Sequence, residues 1–311
     1  MPAPLAALEL FCGIGGFAAA VAGSNATVIG ALDQSEVALA VYRYNFPGHP
    51  ARPADLEKTS AAELAACAAD LWWLSPPCQP YSVRGRQRDL ADPRARSLLA
   101  ILSAFAEIPE ERLPRYLALE NVAGFASSAA HARLTALLAG RGYQLREWLL
   151  CPTELGVPSR RPRYYLLASR AGWARPRPAD RQTRPLYTFL EPAFDQFPPE
   201  ELLLPPPTVA RFGNGLRILD PFDREAYTTC FTAGYGRSLM HAGSYLATVA
   251  GVRRFAPQEI ARLLGFPCDF RFPDGLPLRK CWHLLGNSLS VTAVRAVLAE
   301  FPGLALAAGE R

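Results

Sequence analysis

The chain has 311 residues, half of them hydrophobic, with a net charge of +5. That length and composition support a full core plus a second, smaller lobe, and exclude a disordered or fibrous protein. The seven cysteines are odd in number, with no CxxC pair and no Cys/His cluster at metal-ligand spacing. They indicate neither disulfides nor a metal site, and point to reduced thiols in a cytoplasmic protein. The apolar stretch 10–23 has Glu9 before it, no basic leader and several glycines, so it does not read as a signal peptide. No stretch is long enough to span a bilayer, and no membrane association is expected. Lys58 and Lys280 are the only lysines, so arginine supplies the basic excess, which permits a nucleic-acid partner without requiring one.

Residues 7–10 read as a first strand, followed by the glycine turn Phe11-Cys12-Gly13-Ile14-Gly15-Gly16-Phe17-Ala18 and then a helix. Glycines there let a ligand approach the backbone. Gly13, Gly15 and Ala18 fit the G-x-G-x-x-A fingerprint, and Asp33, after a second strand at 28–32, could bind ribose hydroxyls. A dehydrogenase is therefore one reading, a ligand-free tight turn another, and Asp33 could be only a turn former. Asp55 and Leu56 sit where a third strand could end. A carboxylate beside an apolar side chain would suit an adenine ring, though Asp55 could equally cap a helix.

The run 71–74 reads as a buried strand, and Ser75-Pro76-Pro77-Cys78-Gln79-Pro80-Tyr81-Ser82 follows it. Prolines stiffen this loop and would hold the Cys78 thiol at the end of a sheet, where a nucleophile would sit. Alone, it could be a small buried cysteine in a proline turn. A helix is expected at 97–105, and a strand at 116–119 that ends on Glu120-Asn121-Val122. Glu120 would share the rim of Cys78, unless it is a solvated edge charge. A helix at 132–138 and strands at 144–150 and 164–168 follow, the last preceded by Arg161-Pro162-Arg163. This alternation is the rhythm of a parallel sheet covered on both faces.

After Arg170 the prolines 176, 178, 185, 192, 198, 199 and 205–207 break any long helix, and an irregular stretch leads into a smaller lobe. Helices return at 257–264, with Pro257 in the first turn and Gly265 past the last, and at about 290–300.

Taken together, these motifs resemble those of the cytosine-5 methyltransferase family. Phe11 to Gly16 are similar to its S-adenosylmethionine motif, Pro76-Pro77-Cys78-Gln79 to its nucleophile loop, and Glu120-Asn121-Val122 to its glutamate motif. Arg161 and Arg163 match its paired arginines, and Gly286-Asn287-Ser288 its C-terminal cofactor motif. The order is the family's own. Within it the chain is most similar to the DNA-methyltransferase-like tRNA methyltransferases that modify an anticodon-loop cytosine of tRNA-Asp. Cys230-Phe231-Thr232 with Gly234-Tyr235-Gly236 carries that likeness, together with Tyr44-Asn45-Phe46-Pro47, Gly85-Arg86-Gln87 and 263–267.

The resemblance implies a doubly wound α/β fold with a mostly parallel sheet of the Rossmann-like methyltransferase type and a smaller recognition domain. Residues 1–172 would be catalytic and cofactor-binding, 173–250 target-recognising, and 251–311 a C-terminal segment whose last helix returns to the catalytic domain. It implies S-adenosylmethionine held by Phe11, Gly13, Ile14, Gly15, Gly16, Asp33, Asp55, Leu56, Asn287 and Ser288. The substrate would meet Gln79, Pro80, Ser82, Arg84, Cys230, Phe231 and Thr232. Cys78 would add to carbon 6 of cytosine, Glu120 would hydrogen-bond the ring, and Arg163, with Arg161, would bind its carbonyl oxygen. The partner is a nucleic acid, tRNA in preference to DNA, with a DNA methyltransferase as the alternative and no obligate protein partner. Ser159 stands where the family has glutamine before the paired arginines, which questions how that loop is fixed. The four histidines, His49, His131, His241 and His283, lie in none of these motifs.

Overall fold

A computed structural model of the chain describes residues 3–82, 88–174, 182–192 and 198–307. They fall into two compact units, one of Met1–Leu150, Pro162–Pro178 and Val294–Arg311, the other of Cys151–Arg161 and Ala179–Ala293. The chain thus passes between units at 150/151, 161/162 and 293/294, and once more between residues 174 and 182.

The first unit is an α/β domain. In chain order it contains β1 (Leu5–Leu10), α1 (Gly16–Val21), β2 (Ala26–Asp33), α2 (Glu36–Asn45), β3 (Ala51–Pro53), α3 (Ala61–Ala66), β4 (Leu71–Leu74), α4 (Arg96–Glu107), β5 (Tyr116–Asn121), α5 (Ala129–Gly140), β6 (Gln144–Leu150) and β7 (Arg163–Ser169). The seven strands form one sheet in the order β3-β2-β1-β4-β5-β7-β6. β1 to β5 are mutually parallel, and β7 runs antiparallel to both β5 and β6. The predicted strands are all present. The sequence rhythm missed the reversal of β7, because strand direction depends on long-range pairing.

The apolar runs form strands because both faces are covered. Every residue of β4 and β5 is buried. On one face Leu8, Leu10, Trp72, Leu74, Leu117 and Leu119 pack with Leu98, Ile101, Leu102 and Phe105 of α4 and Leu134 and Leu138 of α5. The spacing of the α4 residues is one helical stripe. Each such side chain contributes about 1.5–3 kcal/mol by burial. Ser128 caps α5, its hydroxyl accepting the His131 amide at 3.0 Å.

Among its described residues the second unit has few regular elements, as its prolines require. They are α6 (Pro206–Phe212), β8 (Ile218–Leu219), β9 (Tyr245–Thr248), β10 (Gly251–Arg254), α7 (Pro257–Leu264) and α8 (Leu278–Asn287); α9 (Val291–Leu298) straddles the last division. β8, β9 and β10 make a three-stranded sheet. Pro257 opens α7, and Gly265 closes it in the left-handed conformation, φ +86°. Buried Arg253 makes a forked ion pair with buried Glu259 at 2.8 and 2.9 Å, and the Glu259 oxygens also accept the amides of Ala256 and Glu191. Among the described residues no helix is long and apolar enough to cross a membrane.

Candidate active site

The sheet order reverses direction between β1 and β4, and in such folds the crevice at the carboxyl ends of those two strands receives the ligand. The turn after β1 and the loop after β4 both lie there.

The turn after β1 is held by its own backbone and by β2. Cys12 donates its amide to the Leu32 carbonyl at 3.0 Å, Gly13 to Asp33 Oδ2 at 2.8 Å and Gly15 to the Cys12 carbonyl at 3.0 Å. Asp33 Oδ1 accepts the Ser35 amide at 2.8 Å, and each carboxylate oxygen retains lone-pair capacity. Phe11 sits at φ +60°, a conformation seldom adopted outside glycine. The glycines differ in purpose. A Cβ on Gly13 would meet no atom within 4 Å, so the turn opens there, whereas one on Gly15 would lie 2.5 Å from the Phe46 ring. Gly15 makes room for Phe46; Gly13 borders open space. Ile14, Gly16 and Leu56 are buried. Asp55 caps no helix: it follows β3, accepts the Glu57 amide and pairs with Lys58 at 3.0 Å, which holds its carboxyl below the usual range.

Open space at Gly13, the Asp33 carboxylate on its amide and buried Leu56 after β3 together have the chemistry an adenosine-bearing cofactor would need. Phe11, Gly13, Asp33 and Leu56 are the residues here that could hold such a group.

Cys78 is half-buried in the loop after β4. Its carbonyl accepts the Tyr81 amide at 3.1 Å, and Pro80 accepts the Asp89 amide at 3.2 Å. Buried Asn121 donates its side-chain amide to the Pro76 carbonyl at 3.1 Å, tying this loop to the end of β5. β4 and β5 are parallel neighbours with Leu74 beside Leu119, so the Cys78 loop and Glu120 leave adjacent strand ends. Glu120 is 9% exposed, and its Oε1 lies 3.3 Å from Nε of Arg163, the first residue of β7. Ser82 is half-buried, as is Gln79, whose buried Oε1 finds no hydrogen-bond partner among the described residues. Arg84, and Gly85-Arg86-Gln87 with it, lie outside the described residues.

Sequence reasoning missed Asn121 as the tether, although it stands beside Glu120 in the quoted motif. It also gave no role to Arg94, whose guanidinium is bound by Asp92 at 2.7 Å. Spacing along the chain carried no signal for that pair.

Arg161 belongs to the second unit and behaves differently from Arg163. It is 4% exposed; Nη1 donates to Cys230 Sγ at 3.2 Å and the Phe231 carbonyl at 3.1 Å, while Nη2 donates to the Gly286 carbonyl at 3.3 Å and to that of Ser288. Both terminal nitrogens are thus engaged inside the unit. Phe231 is buried edge-on to Tyr235 and Phe255, and the Thr232 hydroxyl accepts the Gly234 amide at 3.3 Å. A Cβ on Gly286 would lie 2.2–2.4 Å from the Thr232–Ala233 backbone, so this glycine seats α8 on the Cys-Phe-Thr segment. His283, given no role by sequence, reaches the Ala233 carbonyl and Asn287 Nδ2, both at 3.2 Å. Ser159 is fixed by Thr228, hydroxyl to hydroxyl at 3.0 Å, and the Arg160 amide donates to the Thr228 carbonyl. That pairing secures the loop in which the glutamine is missing.

Comparison with known proteins accords with this arrangement. The profile of the C-5 cytosine-specific DNA methylase family matches residues 5–195 and 222–302. The tRNA (cytosine(38)-C(5))-methyltransferases of Bos taurus and Homo sapiens are each 30% identical over 95% of this chain and 98% of their own. The crystal structure of S. pombe Dnmt2 methyltransferase superposes with a TM-score of 0.82 at 27% identity, covering 95% of this chain and 97% of that one. A dehydrogenase reading of the glycine turn is thereby set aside, and the chain belongs to the C-5 cytosine-specific methyltransferase family.

Proposed function

We propose that this protein transfers a methyl group from S-adenosylmethionine to carbon 5 of a cytosine in tRNA. The acceptor is cytosine 38 of the anticodon loop, tRNA-Asp is the preferred tRNA, and the setting is the cytoplasm. The observation that carries the reading is the Glu120–Arg163 pair at 3.3 Å, on strand ends beside the loop of Cys78. Full-length likeness to relatives named for tRNA cytosine 38 favours RNA over DNA. Target recognition is assigned to the second unit, with Cys230, Phe231 and Thr232.

S-adenosylmethionine, when bound, supplies a methyl group made electrophilic by its sulfonium. Carbon 5 of cytosine is too weak a nucleophile to take it unaided, so the protein must first break the ring's conjugation. Cys78 Sγ, as thiolate, bonds to carbon 6, and the electron pair of the 5,6 double bond passes into the ring. Glu120 donates a hydrogen bond to ring nitrogen 3 and accepts one from the exocyclic amine, stabilising the electrons delivered there. Arg163 keeps Glu120 oriented and offers its remaining donors to the carbonyl oxygen. Carbon 5, now enamine-like, takes the methyl group; its proton leaves to water, and the Cys78 thiolate departs as the double bond re-forms. The base must leave its stack, which is less costly in an RNA loop than in a duplex.

The test is transfer of labelled methyl into total tRNA and into genomic DNA, with bisulfite sequencing of the tRNA. Label confined to cytosine 38 of tRNA-Asp, abolished in Cys78→Ala while S-adenosylmethionine still binds, is expected. Label in DNA alone would establish the DNA methyltransferase instead, and undiminished transfer by Cys78→Ala would refute the covalent step.

A further inference from the structure

Glu9 is an acid in the middle of a sheet. It occupies β1 between Ala31 of β2 and Trp73 of β4, is 1% exposed, and takes no part in the chemistry above. A buried carboxyl is costly unless its neighbours compensate it. Its Oε2 accepts the Tyr42 hydroxyl at 3.0 Å, and the backbone amides of Phe17 and Ala18, in α1 just past the glycine turn, favour its charged form. The Tyr42 oxygen lies 3.2 Å from Nδ1 of His49, which is only partly buried. His49 in turn stacks on Phe46 at 5.4 Å, the ring that fills the space left by Gly15. A continuous chain of polar atoms therefore runs from the underside of the donor turn to a half-exposed imidazole.

We propose that Glu9 is a positioning residue of the donor site, and that its charge, exchanged through Tyr42 and His49, makes the site favour a cationic donor over its neutral product. This rests on the reading of the turn as an S-adenosylmethionine site. The hydrogen bonds admit two complete arrangements, because Tyr42 has one proton to give. With Glu9 ionised, Tyr42 donates to Glu9 and accepts from His49 Nδ1–H. With Glu9 protonated, Glu9 donates to Tyr42 and Tyr42 donates to His49 Nδ1, the imidazole then carrying its proton on Nε2. One proton taken up at the imidazole and passed inward converts the first arrangement into the second, so the buried acid titrates without opening the sheet.

Burial pushes the Glu9 carboxyl up to about 8, against the Tyr42 hydroxyl and the amides of Phe17 and Ala18 and reinforced by the Asp33 charge on β2. Cys12, in the turn, and Tyr42, on α2, face the same carboxyl; burial and the Glu9 charge hold both well above their ordinary values, so they stay protonated. Arg43 acts on Cys12, and burial lowers His49, keeping its imidazole neutral and able to relay. Glu9 is thus the group whose charge changes near neutrality. When ionised it sets a negative charge beneath a turn that holds a sulfonium before transfer and an uncharged thioether after it. Attraction to the first is not matched for the second.

The test is calorimetric affinity for S-adenosylmethionine and S-adenosylhomocysteine from pH 6.5 to 9, in the wild type and in Glu9→Gln, so that titration of the ligands themselves cancels between proteins. The wild-type preference for donor over product should rise with pH by about fivefold or more relative to Glu9→Gln, the order expected of one unit charge facing another across a protein site. Thermal unfolding of the ligand-free protein gives a second readout. The raised folded value means the native state binds the extra proton between the unfolded value near 4.5 and about 8. Stability from this group therefore falls as pH rises through that window, and Glu9→Gln should flatten the decline. Tyr42→Phe removes a donor to the carboxylate and should move both midpoints to higher pH, which keeps the proposal testable if Glu9→Gln fails to fold. Parallel pH profiles in all three proteins would overturn the proposal alone; binding of neither ligand would overturn the donor reading and this one with it.

Discussion

Arg161 offers a sharp test of how the second unit is held together. Its guanidinium is buried with no carboxylate among its hydrogen-bond partners, which are the Cys230 sulfur and the carbonyls of Phe231, Gly286 and Ser288. Arg161→Met keeps the apolar stem and removes every donor. Three carbonyls then lose a partner at about 1–3 kcal/mol each, while relief of a desolvated charge returns several kcal/mol. The net expected loss is about 2–4 kcal/mol. At roughly 2 °C per kcal/mol for a protein of this size, the unfolding midpoint should fall by about 4–8 °C. Arg161→Lys, a point donor that cannot span all of the acceptors, should lose about half as much. The neighbouring control is Arg160→Met. Arg160 is exposed, so this change should stay within about 0.5 kcal/mol. Scanning calorimetry of the three variants decides the matter, and hydrogen exchange should show the amides following Gly286 opening first. An Arg161→Met midpoint indistinguishable from that of Arg160→Met would refute the claim that this guanidinium anchors the Cys-Phe-Thr segment to the end of α8.

Glu120→Gln keeps the shape but cannot supply a proton to ring nitrogen 3, and single-turnover methylation should slow by about 10²–10⁴-fold with unchanged S-adenosylmethionine affinity. Asn121→Ala frees the Pro76 carbonyl, and the loosened Cys78 loop should lower the same rate by roughly 10–10², with a stability loss of only about 1–2 kcal/mol by urea titration. Equal rates for Asn121→Ala and wild type would show that the tether is dispensable. Gly286→Ala forces a methyl group into the Thr232–Ala233 backbone; destabilisation of at least about 1–3 kcal/mol should appear as a lower thermal midpoint.

Much of the first unit was legible in the chain. Runs such as 71–74 and 116–119 can only be buried strands, because a short apolar segment of that composition must have both faces covered. Pro257 and Gly265 mark the ends of α7 through fixed φ in one case and free φ in the other. Cys78 and Glu120 were recognisable as strand-end residues, since each follows such a run directly, whereas Glu9 was read only as a charge ahead of the apolar stretch 10–23.

Tertiary structure decided the rest. The reversal of β7, the pairing of Glu120 with Arg163, the Asn121 tether to Pro76 and the divergence of Arg161 from Arg163 all join residues that no local periodicity links. Gly13 and Gly15 look alike in sequence, yet one borders open space and the other a phenylalanine ring. The physical reason is common to all of them. Backbone preference and hydrophobic period act over a few neighbouring residues and so determine elements, whereas a hydrogen bond or ion pair acts at about 3 Å between atoms that only the packed sheet brings together.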